Sequence, residues 1–163
     1  MKATVFASTL ALSLIATAAS AQAVRTEKNM SLDLANQIAA ATVASCSAAG
    51  YNVTAAVVDR AGNLRALQRA DNAGPHTIGA AQGKAYTSAS ARNTTAAMLE
   101  NVQKNPGAAT LVDIPGFLVL GGGVPVKVGN EVIGAVGVGG APGGHLDEQC
   151  ANAGIAKVAD LLK

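Results

Sequence analysis

Aromatic side chains are nearly missing from this 163-residue chain, which has no tryptophan, two phenylalanines and two tyrosines. Without aromatic faces on which bases stack, a single-stranded nucleic-acid platform is excluded. Charge is also scarce, at 13% of residues. With Lys2 set aside as part of a leader, 11 basic residues face 10 acidic ones, a formal charge of +1. That balance offers no electrostatic footprint for nucleic acid or an anionic membrane. No apolar run after residue 23 approaches the roughly 20 residues that span a bilayer, so no membrane insertion is expected. The two cysteines, Cys46 and Cys150, form no C-x-x-C pair, which removes thioredoxin-like and zinc-ribbon chemistry. No serine occupies a G-x-S-x-G elbow, so nothing points to a serine hydrolase.

What is present begins with the leader. Lys2 supplies a short charged n-region, Val5 to Ala18 is apolar apart from Ser and Thr, and Ala19-Ser20-Ala21 and Ala21-Gln22-Ala23 are overlapping A-x-A cleavage sites. Residues 1–23 are therefore expected to be a secretory signal peptide. Residues 24–163, about 140 of them, suit a single domain with one core, exported to a periplasm or secreted. In an exported chain Cys46 and Cys150 fit two descriptions: small buried hydrophobes, or one disulfide between the first and last helices.

Along that domain the hydrophobic period alternates between helix and strand. Ser31 is placed to cap a helix that carries Leu34, Ile38, Ala41 and Ser45 at helical spacing and stops at Gly50. Asn52–Asp59 and Leu64–Ala70 are expected to form a hairpin about the turn Arg60-Ala61-Gly62-Asn63. Helices are then predicted over His76–Ala91 and from Thr94 to Lys104. Three strands follow, at Phe117–Leu120, Val124–Val128 and Glu131–Val138, with Gly129-Asn130 as a two-residue turn. A last helix over Asp147–Leu162 carries Ala151, Ile155, Val158 and Leu162 on one face. The expected fold is α+β: a five-stranded antiparallel sheet with helices packed on it, in the order α-β-β-α-α-β-β-β-α.

Gly134, Gly137, Gly139 and Gly140 fall in or just after the last strand. Glycine there marks a close approach by a ligand or by another backbone. Nucleotide phosphate is not the ligand. Gly137-x-Gly139 lacks the following strand and acidic residue of a dinucleotide fingerprint, and Gly79–Ala85 has a short spacing with Ala85 where a P-loop needs Ser or Thr. A flat cofactor or a tightly packed neighbour remains, and packing explains more of the glycines.

The chain has two histidines, each at a loop-to-helix junction: His76 after Ala73-Gly74-Pro75, and His145 after Pro142-Gly143-Gly144. A zinc site wants three or four ligands, and no such cluster stands at ligand spacing. One imidazole against an apolar, glycine-lined surface suits haem iron better. His76 is the expected iron ligand, with Pro75 beside it, and His145 is the second choice. Lys84 and Arg92 are expected either to pair with haem propionates or to be ordinary solvated helix charges. Asp147 and Glu148 complement the dipole of the last helix.

Several of these residues also carry a family resemblance. Val57-Val58-Asp59-x-x-Gly62-x-Leu64, Arg69-x-Asp71 and Lys84-Ala85-Tyr86-Thr87 come early. Gly121-Gly122-Gly123-Val124-Pro125, Gly134-Ala135-Val136-Gly137-Val138-Gly139 and Asp147-Glu148-Gln149-Cys150-Ala151 come late. Together they resemble the GlcG/HbpS-like haem-binding proteins over residues 30 to 162. The resemblance implies a profilin/PAS-like fold that assembles into homo-oligomers and interacts with haem or corrinoids. It therefore implies an exported haem-binding carrier or sensor accessory, more readily non-catalytic than an enzyme. The alternatives are a cofactor-free oligomeric scaffold and an accessory to a small-molecule enzyme of glycolate or aromatic catabolism.

Overall fold

A computed structural model describes residues 23–163; the expected signal peptide lies outside the described residues except for Ala23. The elements are α1 (Leu32–Ala48), β1 (Thr54–Asp59), β2 (Leu64–Arg69), α2 (His76–Ala91), α3 (Thr95–Lys104), β3 (Gly123–Val128), β4 (Glu131–Gly139) and α4 (Gly144–Lys157). Short 3-10 turns cover Pro106–Asp113 and Ala159–Leu161.

Local chemistry accounts for most of the boundaries. The Ser31 side chain accepts a hydrogen bond from the Leu34 N–H at 3.2 Å, capping α1. Past the other end of α1, Gly50 takes φ +84°, a left-handed conformation that suits glycine after a helix. The Asp59 carboxylate accepts from the Ala61 and Asn63 N–H groups, each at 2.9 Å, and so closes the β1–β2 turn. Gly129, at φ +61°, makes the two-residue turn from β3 to β4.

The strands form one antiparallel sheet in the order β2-β1-β4-β3. The two central strands are buried along almost their whole length, as strands covered on both faces must be. On one face α1 and α4 pack over Val57, Val126, Val136 and Val138. Cys46 and Cys150 are disulfide-bonded and tie those two helices together. On the other face α2 lies across β1 and β4, with Ala81, Ala85 and Ala89 against Ala56, Val58 and Ala135.

The architecture is the α+β one expected, with one correction: among the described residues the sheet has four strands, not five. Phe117–Leu120 is irregular because helix side chains take the hydrogen bonds a neighbouring strand would need. The Leu118 N–H donates to the Thr87 hydroxyl at 2.7 Å, and the Thr95 hydroxyl donates to the Leu120 carbonyl at 2.7 Å. Phe117 stands edge-on to Tyr86 of α2, with ring centres 6.1 Å apart. The last helix also begins three residues earlier than its pattern indicated, at Gly144.

Gly123, Gly137 and Gly139 make room for helix α2, whereas Gly134 lies against the Val58 carbonyl of β1. A Cβ on Gly137 would sit 2.1 Å from the Ala81 carbonyl oxygen and 2.4 Å from the Ala85 nitrogen. One on Gly123 would sit 2.4 Å from the Lys84 carbonyl oxygen. The approaching body is thus the chain's own helix backbone. Gly137→Ala should therefore lift α2 from the sheet and cost about 1–3 kcal/mol, the usual range for overpacking. Urea unfolding measures it, and a midpoint equal to the parent's would show that the helix yields freely.

Candidate functional site

A groove of about 650 Å³ opens between α3 and the first turns of α4. Thr94 starts α3 by accepting from the Ala97 N–H at 3.2 Å. Thr95, fully buried, donates to the Leu120 carbonyl and accepts from the Gly123 N–H at 2.8 Å. One threonine thus holds the Leu120–Gly123 segment between helix and sheet. Gly121 lies against Gly144, where a Cβ on Gly144 would come within 2.8 Å of the Gly121 carbonyl oxygen. That close approach leaves no room for a side chain at residue 144.

The floor is apolar, built from Ala96, Leu99, Leu120 and Gly121, and the rim carries His145, Glu148 and Glu100. Because α4 begins at Gly144, His145 and Glu148 stand three residues apart on one helical face. Burial pushes the Glu148 carboxyl above its ordinary value. Glu100 goes the other way, lowered first by its hydrogen bond to Lys104 and then by that residue's charge. The His145 ring is folded back over its own loop, so a Cβ on Gly143 would meet its Cε1 at 2.8 Å.

Behind the groove lies a buried ion pair. The Lys84 ammonium donates to Asp147 Oδ2 at 2.7 Å and to the Val138 carbonyl at 2.8 Å. Asp147 Oδ1 accepts from the Ala141 N–H at 3.0 Å. Both side chains are almost completely buried. Desolvation raises the Asp147 carboxyl above its ordinary value, and the hydrogen bond and charge of Lys84 offset part of that. The pair ties α2 to the first turn of α4 at the start of β3.

The five residues expected at the site are not gathered in one place. His145 lines the groove. His76 and Pro75 are exposed at the start of α2, the imidazole folded over Gly74. Arg92 is at the opposite end of the same helix, about 24 Å from His76 at 1.5 Å per residue. Lys84 is neither a solvated charge nor turned toward a surface ligand, since its ammonium is held inside by Asp147. Sequence reasoning overlooked Glu100, Leu99 and the groove itself. The usable signal was His145-x-x-Glu148, hidden by placing the helix start at Asp147. Among the described residues no group of three His, Cys, Asp or Glu side chains could hold a metal ion.

These features define a class: an antiparallel sheet covered by helices on both faces, with a ligand-sized groove where two helices meet its end. The chain belongs to the HbpS-like family, described as "Haem degrading protein HbpS-like", whose model matches residues 30–156. Protein GlcG of Escherichia coli K12 is 38% identical over 114 residues, which is 70% of this chain and 84% of that protein. A double mutant of HbpS from Streptomyces reticuli superposes with a TM-score of 0.79 at 38% identity, covering 86% of this chain and 94% of that one. The protein ORFY of Klebsiella pneumoniae superposes with the same TM-score at 28% identity, covering 84% and 95%.

Proposed function

We propose that this protein binds haem in the groove between α3 and α4, with His145 as the residue that meets the iron. The observation that carries this reading is that His145, of the two histidines, borders an apolar groove large enough for a cofactor. Bound there, haem would supply the iron, and the chain would supply an apolar floor and one imidazole. The rim carboxylates Glu100 and Glu148 favour a pose with the apolar edge of the ring inward and the propionates toward solvent. The family description supports haem as the ligand class.

The protein acts, on this reading, as a non-catalytic carrier or sensor accessory. It is exported and self-associates. The apolar leader with its A-x-A sites supports export, as does a disulfide, which persists in oxidising compartments. Exposed Val112 and Ile114 supply apolar surface for packing between copies.

Haemin titration followed in the Soret region tests the assignment. The parent protein should give a saturable band. His145→Ala should shift that band and weaken binding at least tenfold, about 1.4 kcal/mol, while His76→Ala leaves both unchanged. The reverse pattern would put the iron at the start of α2, and a parent indifferent to haemin would remove the haem reading. A second reading, haem breakdown, is favoured by one observation: Glu148, its carboxyl raised by burial, stands one helical turn from His145, where a general acid would act. Decay of the bound haem's absorbance under a reductant and oxygen would select it over a carrier.

A further inference from the structure

At the opposite end of β3 from the groove, cations from four separate parts of the chain converge around the β3–β4 turn. We propose that this turn end is a second binding site, for a small anion carrying two negative charges, of the phosphate or dicarboxylate class, held by Lys28, Arg92 and Lys127 with Arg60 as the fixed wall. The hollow is about 650 Å³, and its charged lining is Lys28, Arg60, Arg92, Lys127 and Glu131. Four positive charges thus face one negative charge.

The arrangement is built rather than incidental. Arg60 spends its guanidinium on carboxylates, pairing with Glu131 and, at 3.3 Å, with Glu27. Its backbone N–H donates to the Asn29 side chain at 2.9 Å. The Met30 N–H donates to the Ile133 carbonyl at 3.1 Å. Those bonds lay the segment before α1 along the hairpin and bring Lys28 to the rim. Arg92 holds a left-handed backbone at φ 54°, the sole non-glycine residue with positive φ among the described residues. That corner is closed by the Ser88 hydroxyl donating to the Asn93 carbonyl at 2.8 Å. Lys127 is exposed where the β3–β4 register shifts.

With Glu27 and Glu131 both taken by Arg60, Lys28, Arg92 and Lys127 form no ion pair among the described residues. The Lys28 charge also acts on Glu131, and a guanidinium with two ammoniums around one hollow matches the oxygens of a doubly charged anion. The cations surround one hollow of about 650 Å³ instead of lining an extended face, and the domain's net charge is only +1 once Lys2 is set aside. Those two facts favour a small anion over a polymer, which needs an extended basic face.

The test titrates the full chain at low salt with inorganic phosphate and, separately, with succinate, by calorimetry and without haemin. At least one should bind at a single saturable site, with affinity that falls as salt is raised; which one binds tells phosphate from dicarboxylate chemistry. The double variant Arg92→Gly, Lys127→Gln should weaken binding at least tenfold. Glycine keeps the left-handed backbone at residue 92, so an unfolding midpoint equal to the parent's shows that the fold is intact. The proposal is overturned if neither anion binds, if the double variant binds as well as the parent, or if only long-chain dextran sulfate binds. Because haemin is absent, these outcomes leave the α3–α4 groove reading untouched.

Discussion

Reducing the Cys46–Cys150 disulfide is expected to remove about 4–5 kcal/mol of stability, a large share of what a domain of this size has. The bond joins residues 104 apart in sequence. A cross-link closing a loop of roughly 100 residues removes about 4.7 kcal/mol of chain entropy from the unfolded state. Both half-cystines are buried between α1 and α4, so reduction also leaves two thiols in a core shaped for a bond. The helices meet tightly nearby: a Cβ on Gly154 would lie 2.0 Å from the Thr42 hydroxyl oxygen. Urea unfolding with and without reductant measures the effect, with the Cys46→Ala, Cys150→Ala double variant as the non-reducible control. Equal midpoints in all three would mean that the two cysteines are not bonded in the protein.

The second large effect is expected from Lys84→Met. Methionine fills much the same volume but leaves the Asp147 carboxylate buried without a counter-charge, and removing one partner of such a pair costs about 3–5 kcal/mol. Replacing both partners, Lys84→Met with Asp147→Leu, should recover much of the loss, because two apolar side chains need no desolvated charge. pH supplies an independent readout. Asp147 already has its carboxyl raised by desolvation, with Lys84 opposing that rise. Loss of the ammonium lifts it further. A carboxyl raised by folding contributes stability at pH values below its unfolded pKa and loses that contribution as pH rises through its folded pKa. In Lys84→Met this loss extends to higher pH. The deficit relative to the parent should therefore be smallest in acid, where Asp147 is protonated, and grow toward neutrality. A deficit independent of pH would show that Lys84 matters for its packing and not for its charge.

Elements fixed by nearest neighbours are legible in the amino-acid order alone. The Gly129-Asn130 turn, the Ser31 cap, the Gly50 stop and the Gly62 turn each depend on the φ/ψ range or side-chain reach of one or two residues. The buried strands β1 and β4 are legible too, because continuous apolar runs of strand length have few alternatives. Phe117–Leu120 has the same apolar signal and yet is not a strand. Its backbone is taken by Thr87 and Thr95, 31 and 25 residues away from their respective partners. Nothing within Phe117–Leu120 records those hydroxyls.

The candidate site divides in the same way. His145 is recognisable as a possible ligand from its loop, but its groove is made by α3, a helix that ends at Lys104, far earlier in the chain. Lys84 looks like a helix charge because periodicity places a residue on a helix face without saying what that face meets. In the structure its ammonium meets a carboxylate 63 residues away.

Family membership, the helix and strand order apart from one segment, and the connecting turns are all readable from the amino-acid order alone. These follow from motifs and from local periodicity. What lies against Gly123 and Gly137 depends instead on long-range packing. The glycine pattern demanded a close neighbour, and a ligand, another subunit and the chain's own backbone all met that demand. Helix α2, seated with its carbonyl oxygens over Gly137 and Gly123, settled it within one subunit. The charge balance behaved likewise: a net of +1, with Lys2 set aside, hid four cations that the fold gathers at one turn. Composition sums charges over the chain, whereas binding depends on which of them the fold brings together.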